Sequence, residues 1–476
     1  MSWKKRATTG SGRKIRSNME TITDIQLIND QLADWYLDSR DQLMSSSGEV
    51  LNSFRPAAME SFRKLGIPDR SPENYKFTDI QNAFNFPLNR YIEPRKILFA
   101  VEDLFHCDIP ELDTELVLLV NGWFYENRPK LQELPGGMIV GSLAEAARQY
   151  PDLVKKYYSQ YADYEKDGLV ALNTAFAQDG TFIYVPRGAV NNRAVQIVNV
   201  LLSPEDLFVQ HRNLIVVEDG ASARVLVCDH SLSARHFLTN SVTEIHVGAN
   251  AHLDYVKLQN ENNTSNQIST SCLVQERSSE VVYNTITLHG GMIRNNVYAK
   301  LNGEGASNQT LGLFLADKTQ HIDSYTFVDH AVANCSSWQN FKGILDDQAT
   351  GGFMGRILVR PQAQKTLAYQ ANNNILLTDE AKMSTKPQLE IYADDVKCSH
   401  GASVGQLDTN AIFYMQSRGI SVREARLLLM YAFGHEILGK IMVDPLRERL
   451  SDLVDKRLRG ELTRCNSCPL HCQETC

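Results

Sequence analysis

A chain of 476 residues exceeds the size at which one compact core keeps growing, so two or three structural regions or an elongated array are expected. With 43 % hydrophobic and 22 % charged residues the composition is that of an ordinary soluble protein, and no apolar run approaches the roughly 20 residues that cross a bilayer. Net charge is −8, but residues 1–18 hold six Lys or Arg and no acid, leaving −14 on an acidic body that does not suit nucleic acid.

The basic start (Lys4, Lys5, Arg6, Arg13, Lys14, Arg16) lacks the amphipathic Leu or Ala face of an organelle transit peptide. Residues 1–19 are therefore expected to be a disordered extension ahead of a start at Met19. No secretory apolar region is present, which puts the nine cysteines in a reducing, cytoplasmic compartment. Residues 20–148 read as a helical and mixed region. In IQLINDQLADWYLDSRDQL, the positions Ile25, Leu27, Ile28, Leu32, Trp35, Tyr36 and Leu43 approximate a 3.6-residue stripe, after which Pro68, Pro72, Pro87 and Pro94 break the chain into short pieces.

Self-alignment resolves residues 149–419. Similar short β-type runs start at Asn192, Ala221, Ala249, Ser278, Ala306 and Cys335, with steps of 29, 28, 29, 28 and 29, and continue at Ala363 and Asp395 with steps of 28 and 32. Gly220, Gly248 and Gly305 stand immediately before three of them. A fixed step of this size, built from strands, marks a solenoid whose coils bury their apolar faces on one another. The fold class is therefore mainly β: a right-handed parallel β-helix between an N-terminal and a C-terminal helical region. Alternate residues of Arg224 to Val227 should point inward, so that a charge is far worse tolerated at one of Val225 and Leu226 than at the other. Open strand edges at the ends of such a stack demand cover or a partner chain.

After Gly419 the period becomes helical. Ser421 and Glu424 form a capping box before VREARLLLMYAFGHEILGKIMV, and a second helix from Pro445 carries Leu446, Leu450, Leu453, Val454 and Leu458 on one stripe. Residues 420–462 are thus a C-terminal helical region, either a cap or a docking surface. The string GHEILGKI nearly matches a phosphate-binding loop, but Ile441 replaces the required Ser or Thr and the string lies within a helix, so no nucleotide is bound here. In the tail, 463–476, Cys465, Cys468, Cys472 and Cys476 resemble zinc or cluster ligands at C-x2-C-x3-C-x3-C spacing, with a mobile thiol-rich tail as the equal alternative.

Two further sets of residues have ligand chemistry. Cys398 and His400 stand two apart, so that on an extended strand both face one side, with a thiolate and an imidazole suited to zinc, copper or iron. His321, Asp323 and His330 lie in HIDSYTFVDH, where structural hydrogen bonding outweighs a ligand role.

The run KCSHGASVGQLD, followed by FYMQSRGI, Ala425–Arg426 and Ala432–Phe433, resembles the C-terminal signature of the SufB/SufD family of iron-sulfur cluster assembly proteins, in its SufD form. Upstream, ENYKFTDI (Glu73 to Ile80), HIDSYTFVDH, KGIL (Lys342 to Leu345), FMGRILV (Phe353 to Val359), AQKT (Ala363 to Thr366) and PQLEIYADDVKCSHG (Pro387 to Gly401) follow in the family's order. The resemblance implies a subunit of the SufBCD scaffold and no stand-alone enzyme. It would pair with a SufB-like chain and recruit a SufC-like ABC-type ATPase through 420–462, for which Arg426, Leu429, Tyr431, Phe433 and Ile437 are the docking candidates. It also implies that His400 faces SufB where iron and sulfur meet, that Cys398 has a less defined role, and that an iron-sulfur cluster or iron is held transiently at the subunit interface. Whether the chain self-pairs as a homodimer, and whether a flavin is held in the complex, stays open. The alternative from another class is a β-helix carbohydrate-active enzyme with Asp394 and Asp395 as carboxylates, against which stand the missing signal peptide and the opposite facing of adjacent strand residues.

Overall fold

The computed structural model describes residues 12–85, 89–94, 114–125, 129–191 and 193–462, and it is mainly β: a parallel β-solenoid of about eight turns with helices toward both ends of the chain. Each coil gives one strand to each of two ten-stranded sheets. The repeats of the sequence are the strands of the first sheet, which ends on Thr366–Leu376 and the terminal strand Val396–Gly405. The intervening strands, down to Lys382–Ile391, form the second sheet. Strands begin at Thr114, well before 149, and three short helices lie within 143–176.

Register partners on the first sheet run Ser222, His252, Glu280, Ser307, Ser336, Leu367 and Lys397, giving steps of 30, 28, 27, 29, 31 and 30 in place of the near-constant 28 to 29 and final 32 expected. Strand register is held because a one-residue slip would turn every side chain over, so the corners absorb the extra residues. One corner of each coil is turned by a residue with positive φ: Gly220, Asn250, Ser278, Gly305, Asn334 and Lys365. The N–H of Asn250 donates to the Arg277 carbonyl at 2.8 Å and that of Ser278 to Glu304 at 2.9 Å, linking each corner to the next coil. Glycine is one solution at this corner. Gly248 has another task, since a Cβ there would lie 2.6 Å from the Asp219 amide nitrogen.

Inward-facing Val225 and Val227 join the long core between the sheets, while outward-facing Leu226 and Cys228 are equally buried in a second apolar layer. Alternate residues do point inward, but Leu226 is as buried as Val225, because helices cover the outer face. On the second sheet lie α1 (Gly12–Ser46), α2 (Glu49–Leu65), α3 (Leu143–Gln149), α4 (Pro151–Tyr157) and α5 (Gly168–Phe176), packed on Phe208, Leu238, Ile268, Phe182 and Leu214. The α1 stripe buries Ile25, Leu32, Tyr36 and Leu43 but leaves Leu27 exposed. The helix starts inside the expected 1–19 extension, of which residues 1–11 lie outside the described residues.

At the other end of the chain are α6 (Thr409–Ser417), α7 (Val422–Leu438) and α8 (Asp444–Arg459). Ser421 caps α7 by accepting from the Glu424 N–H at 3.2 Å. The α8 stripe of Leu446, Leu450, Leu453 and Val454 closes over Leu226, Leu258, Ile286 and Leu313 of the first sheet. The two ends of the solenoid differ. At the N-terminal end the sheets finish in short antiparallel strands, Trp123–Phe124 and Leu131–Leu134. At the other end, Lys382–Ile391 and Val396–Gly405 each have a strand neighbour on one side among the described residues.

Candidate functional site

Most of the motif strings tie coils together. Thr78, from ENYKFTDI, stands 3.0 Å from His321 Nε2 and donates to the Asp323 carboxylate, while His321 Nδ1 lies 2.8 Å from Thr350 Oγ1. Arg294 pairs with Asp323, donates to the Asn74 carbonyl, and lies over the rings of Tyr75 at 5.2 Å and Tyr325 at 5.6 Å. His321 and Asp323 thus face one way, but both ring nitrogens are engaged and burial pulls the His321 pKa down. His330 is nine residues along the same strand, about 30 Å away, so it is not part of that group. It is buried, its Nε2 lies 2.8 Å from Ser337 Oγ, and burial pushes its pKa down to about 4. Lys342 of KGIL holds α7 through the Phe433 carbonyl at 3.1 Å and the Glu436 carboxylate. Arg356 of FMGRILV makes a two-pronged pair with Glu390 at 2.6 and 2.7 Å.

The terminal strand is different. Its residues from Ser399 to Gly405 are exposed, in a position where earlier coils bury their equivalents. Cys398 and His400 share its inward side. Cys398 is half-buried against the core, and burial, partly offset by a hydrogen bond from the Ala368 backbone, pushes its thiol up. That favours the protonated thiol over the thiolate that binds metal. His400 is exposed at the open end, in register beside Gln370 of the penultimate strand. Around this edge lie exposed apolar side chains: Leu367, Ile391, Tyr392 and Val404, then Phe413 and Tyr414 on α6, which buries none of its residues. Trp338 stacks on Tyr369 at 4.7 Å in a groove that continues along Ser399 and Ser403. Gln370, Trp338 and Tyr369 escape a motif reading, whereas Phe413 and Tyr414 open FYMQSRGI. The register of the last coil would have found Gln370 had its step been read as 30.

Asp394 and Asp395 fall in the exposed corner before the terminal strand. Among the described residues no three His, Cys, Asp or Glu side chains converge as a metal cluster would. Cys465, Cys468, Cys472 and Cys476 lie outside the described residues.

On α7 the docking candidates divide. Arg426 is exposed, and Leu429 and Tyr431 are half-buried, with the Tyr431 ring 5.5 Å from that of His435 in an open groove between α7 and α8. Phe433 is half-buried beneath Lys342 Nζ at 4.4 Å. Ile437 is a correction: it is fully buried against the first sheet and is unavailable to a partner. Leu428, exposed on the same groove, was not singled out by the stripe.

Two family models match consecutive parts of the chain: the SufBD protein N-terminal region over residues 26–197 and the SufBD core domain of SUF-system FeS cluster assembly over 200–433. The iron-sulfur cluster assembly protein SufD of Escherichia coli is 30 % identical over 415 residues, covering 85 % of this chain and 93 % of its own length. A SufBD family protein of Synechocystis is 28 % identical, covering 88 % and 94 %, and SufD of Bacillus subtilis is 26 % identical, covering 86 % and 94 %. The order of the tied motif strings, the solenoid and these matches along nearly the whole length agree, and the chain belongs to the SufBD family of iron-sulfur cluster assembly proteins, as a SufD-like member.

Proposed function

We propose that this chain is a non-enzymatic scaffold subunit that pairs through its open solenoid end with a SufB-like chain and carries a SufC-like ATPase on α7 and α8. The observation that carries the reading is the open terminal strand: an unpaired edge, ringed by Val404, Phe413 and Tyr414, with His400 exposed in its middle. An unpaired edge is a template for pairing with another chain. Iron is cargo in this scheme. A neutral imidazole binds it well, and His400 offers one donor where iron takes more, so the partner chain contributes the rest and the sulfur. The groove of Tyr431, Leu428 and His435 between α7 and α8 is the ATPase surface. The four described cysteines are free thiols, three of them buried, as suits a reducing cytoplasm. A flavin has no part in this reading.

Co-purification with the two partner chains tests the assignment. Val404→Lys with Phe413→Lys is expected to release the SufB-like chain and retain the ATPase, and Leu428→Glu with Tyr431→Glu to do the reverse. Retention of both partners by both folded variants would overturn the placement of the two surfaces.

A further inference from the structure

Resting on the reading of His400 as the iron-facing residue, we infer that Gln370 is its positioning residue: a buried amide that fixes which nitrogen of the His400 ring keeps its proton. The inward column of the first sheet runs, in register, Tyr255, Tyr283, Thr310, Gln339, Gln370, His400. Two of its members, Gln339 and Gln370, are hydrogen-bonded to each other, and each keeps one buried polar atom without a partner, Gln339 Nε2 and Gln370 Oε1. Thr326 Oγ1 donates to Gln339 Oε1 at 2.6 Å, and Gln370 Nε2 donates to the same oxygen at 3.0 Å. This leaves Gln370 Oε1 buried without a donor, in a side chain 3 % exposed. A buried carbonyl oxygen without a partner costs about 1–3 kcal/mol, and the residue in register on its open side is His400.

The amide is also held from across the core. Gly355, of FMGRILV, faces it so closely that a Cβ there would lie 2.1 Å from Gln370 Nε2. Any side chain at 355 would displace the amide, which gives that glycine a reason independent of backbone conformation. Gln370 is thus fixed on two sides and carries one free acceptor. When a ring N–H of His400 donates to Oε1, the other nitrogen is left with its lone pair directed away from the core, toward the edge where a metal and a partner arrive. Hydrogen bonds of this kind set tautomer and ring orientation in metal-binding histidines, and their loss costs 10–100-fold in metal affinity.

The test is nitrogen NMR of the full chain labelled at histidine, with the His400 signal identified by its loss in His400→Gln. Wild-type His400 is expected in one tautomer. Gln370→Leu should return it to the mixture of a free imidazole, and Gln370→Asn, which keeps the amide but shortens its reach, should do the same with less strain on folding. Cluster formation in cells should fall about tenfold in both variants. A mixed tautomer in the wild-type chain, or one unchanged by either folded variant, overturns the inference. If the tautomer is released while cluster formation holds, Gln370 does orient the ring, and it is the assembly role of His400 that fails.

Discussion

Burial distinguishes His330 from His400. Buried His330 is neutral in the fold, its pKa pushed down to about 4 from the ordinary 6.5, with desolvation as the main cause. Between those values the unfolded chain takes up a proton that the folded chain refuses, so the contribution is complete above about 6.5 and is lost as pH falls toward 4. His330→Gln keeps a polar partner for Ser337 and removes the titration. Its thermal midpoint should fall less steeply than that of the wild type between pH 6.5 and 4, as read by calorimetry, and an unaltered slope would show that the ring is not the source. Buried His211, also pushed down to about 4, sets part of the remaining slope. The contrast explains how much of the site was legible. The spacing of Cys398 and His400 put both on one side of a strand, and the family resemblance singled out His400, but neither showed that Cys398 is half-buried or that His321 has both ring nitrogens engaged. Gln370 was hidden because a final step of 32 displaces the last coil by two residues from its true register of 30.

At the scale of elements, the repeat in the sequence was the first sheet alone, since positive-φ corner residues precede its strands in coil after coil. From Thr181–Val185 to Ser265–Gln275 the second sheet buries both faces, one on the core and one under α1 to α5, and strands buried on both sides lose the alternation that would announce them. The first sheet has the same property beneath α7 and α8. For that reason Val225→Asp and Leu226→Asp should both be severe, each costing several kcal/mol as an unpaired buried charge. Soluble yield and thermal midpoint read this directly, and a well-tolerated Leu226→Asp would mean that α7 and α8 do not lie on that face in solution. Ile437 shows the same limit from the helix side: a stripe identifies apolar residues, but not whether they meet the chain's own sheet or another protein.

The whole molecule is a solenoid clamped along both flanks. The Glu73 to Ile80 segment buckles the N-terminal region to the coils through Thr78, Asn74 and the Arg294–Asp323 pair. Lys342 fastens α7 on the opposite flank. With the flanks covered, the long unpaired strand edges among the described residues lie at the Lys382–Ile391 and Val396–Gly405 end, where His400 stands, while the edge strands at the other end, Trp123–Phe124 and Leu131–Leu134, are short. The measurement that bears most directly on this account is cluster formation in cells with His400→Ala as the only copy and no second assembly system present. The account predicts an unchanged thermal midpoint, intact association with SufB-like and SufC-like chains, and a sharp loss of cluster-dependent activity. Full activity in that variant would contradict it.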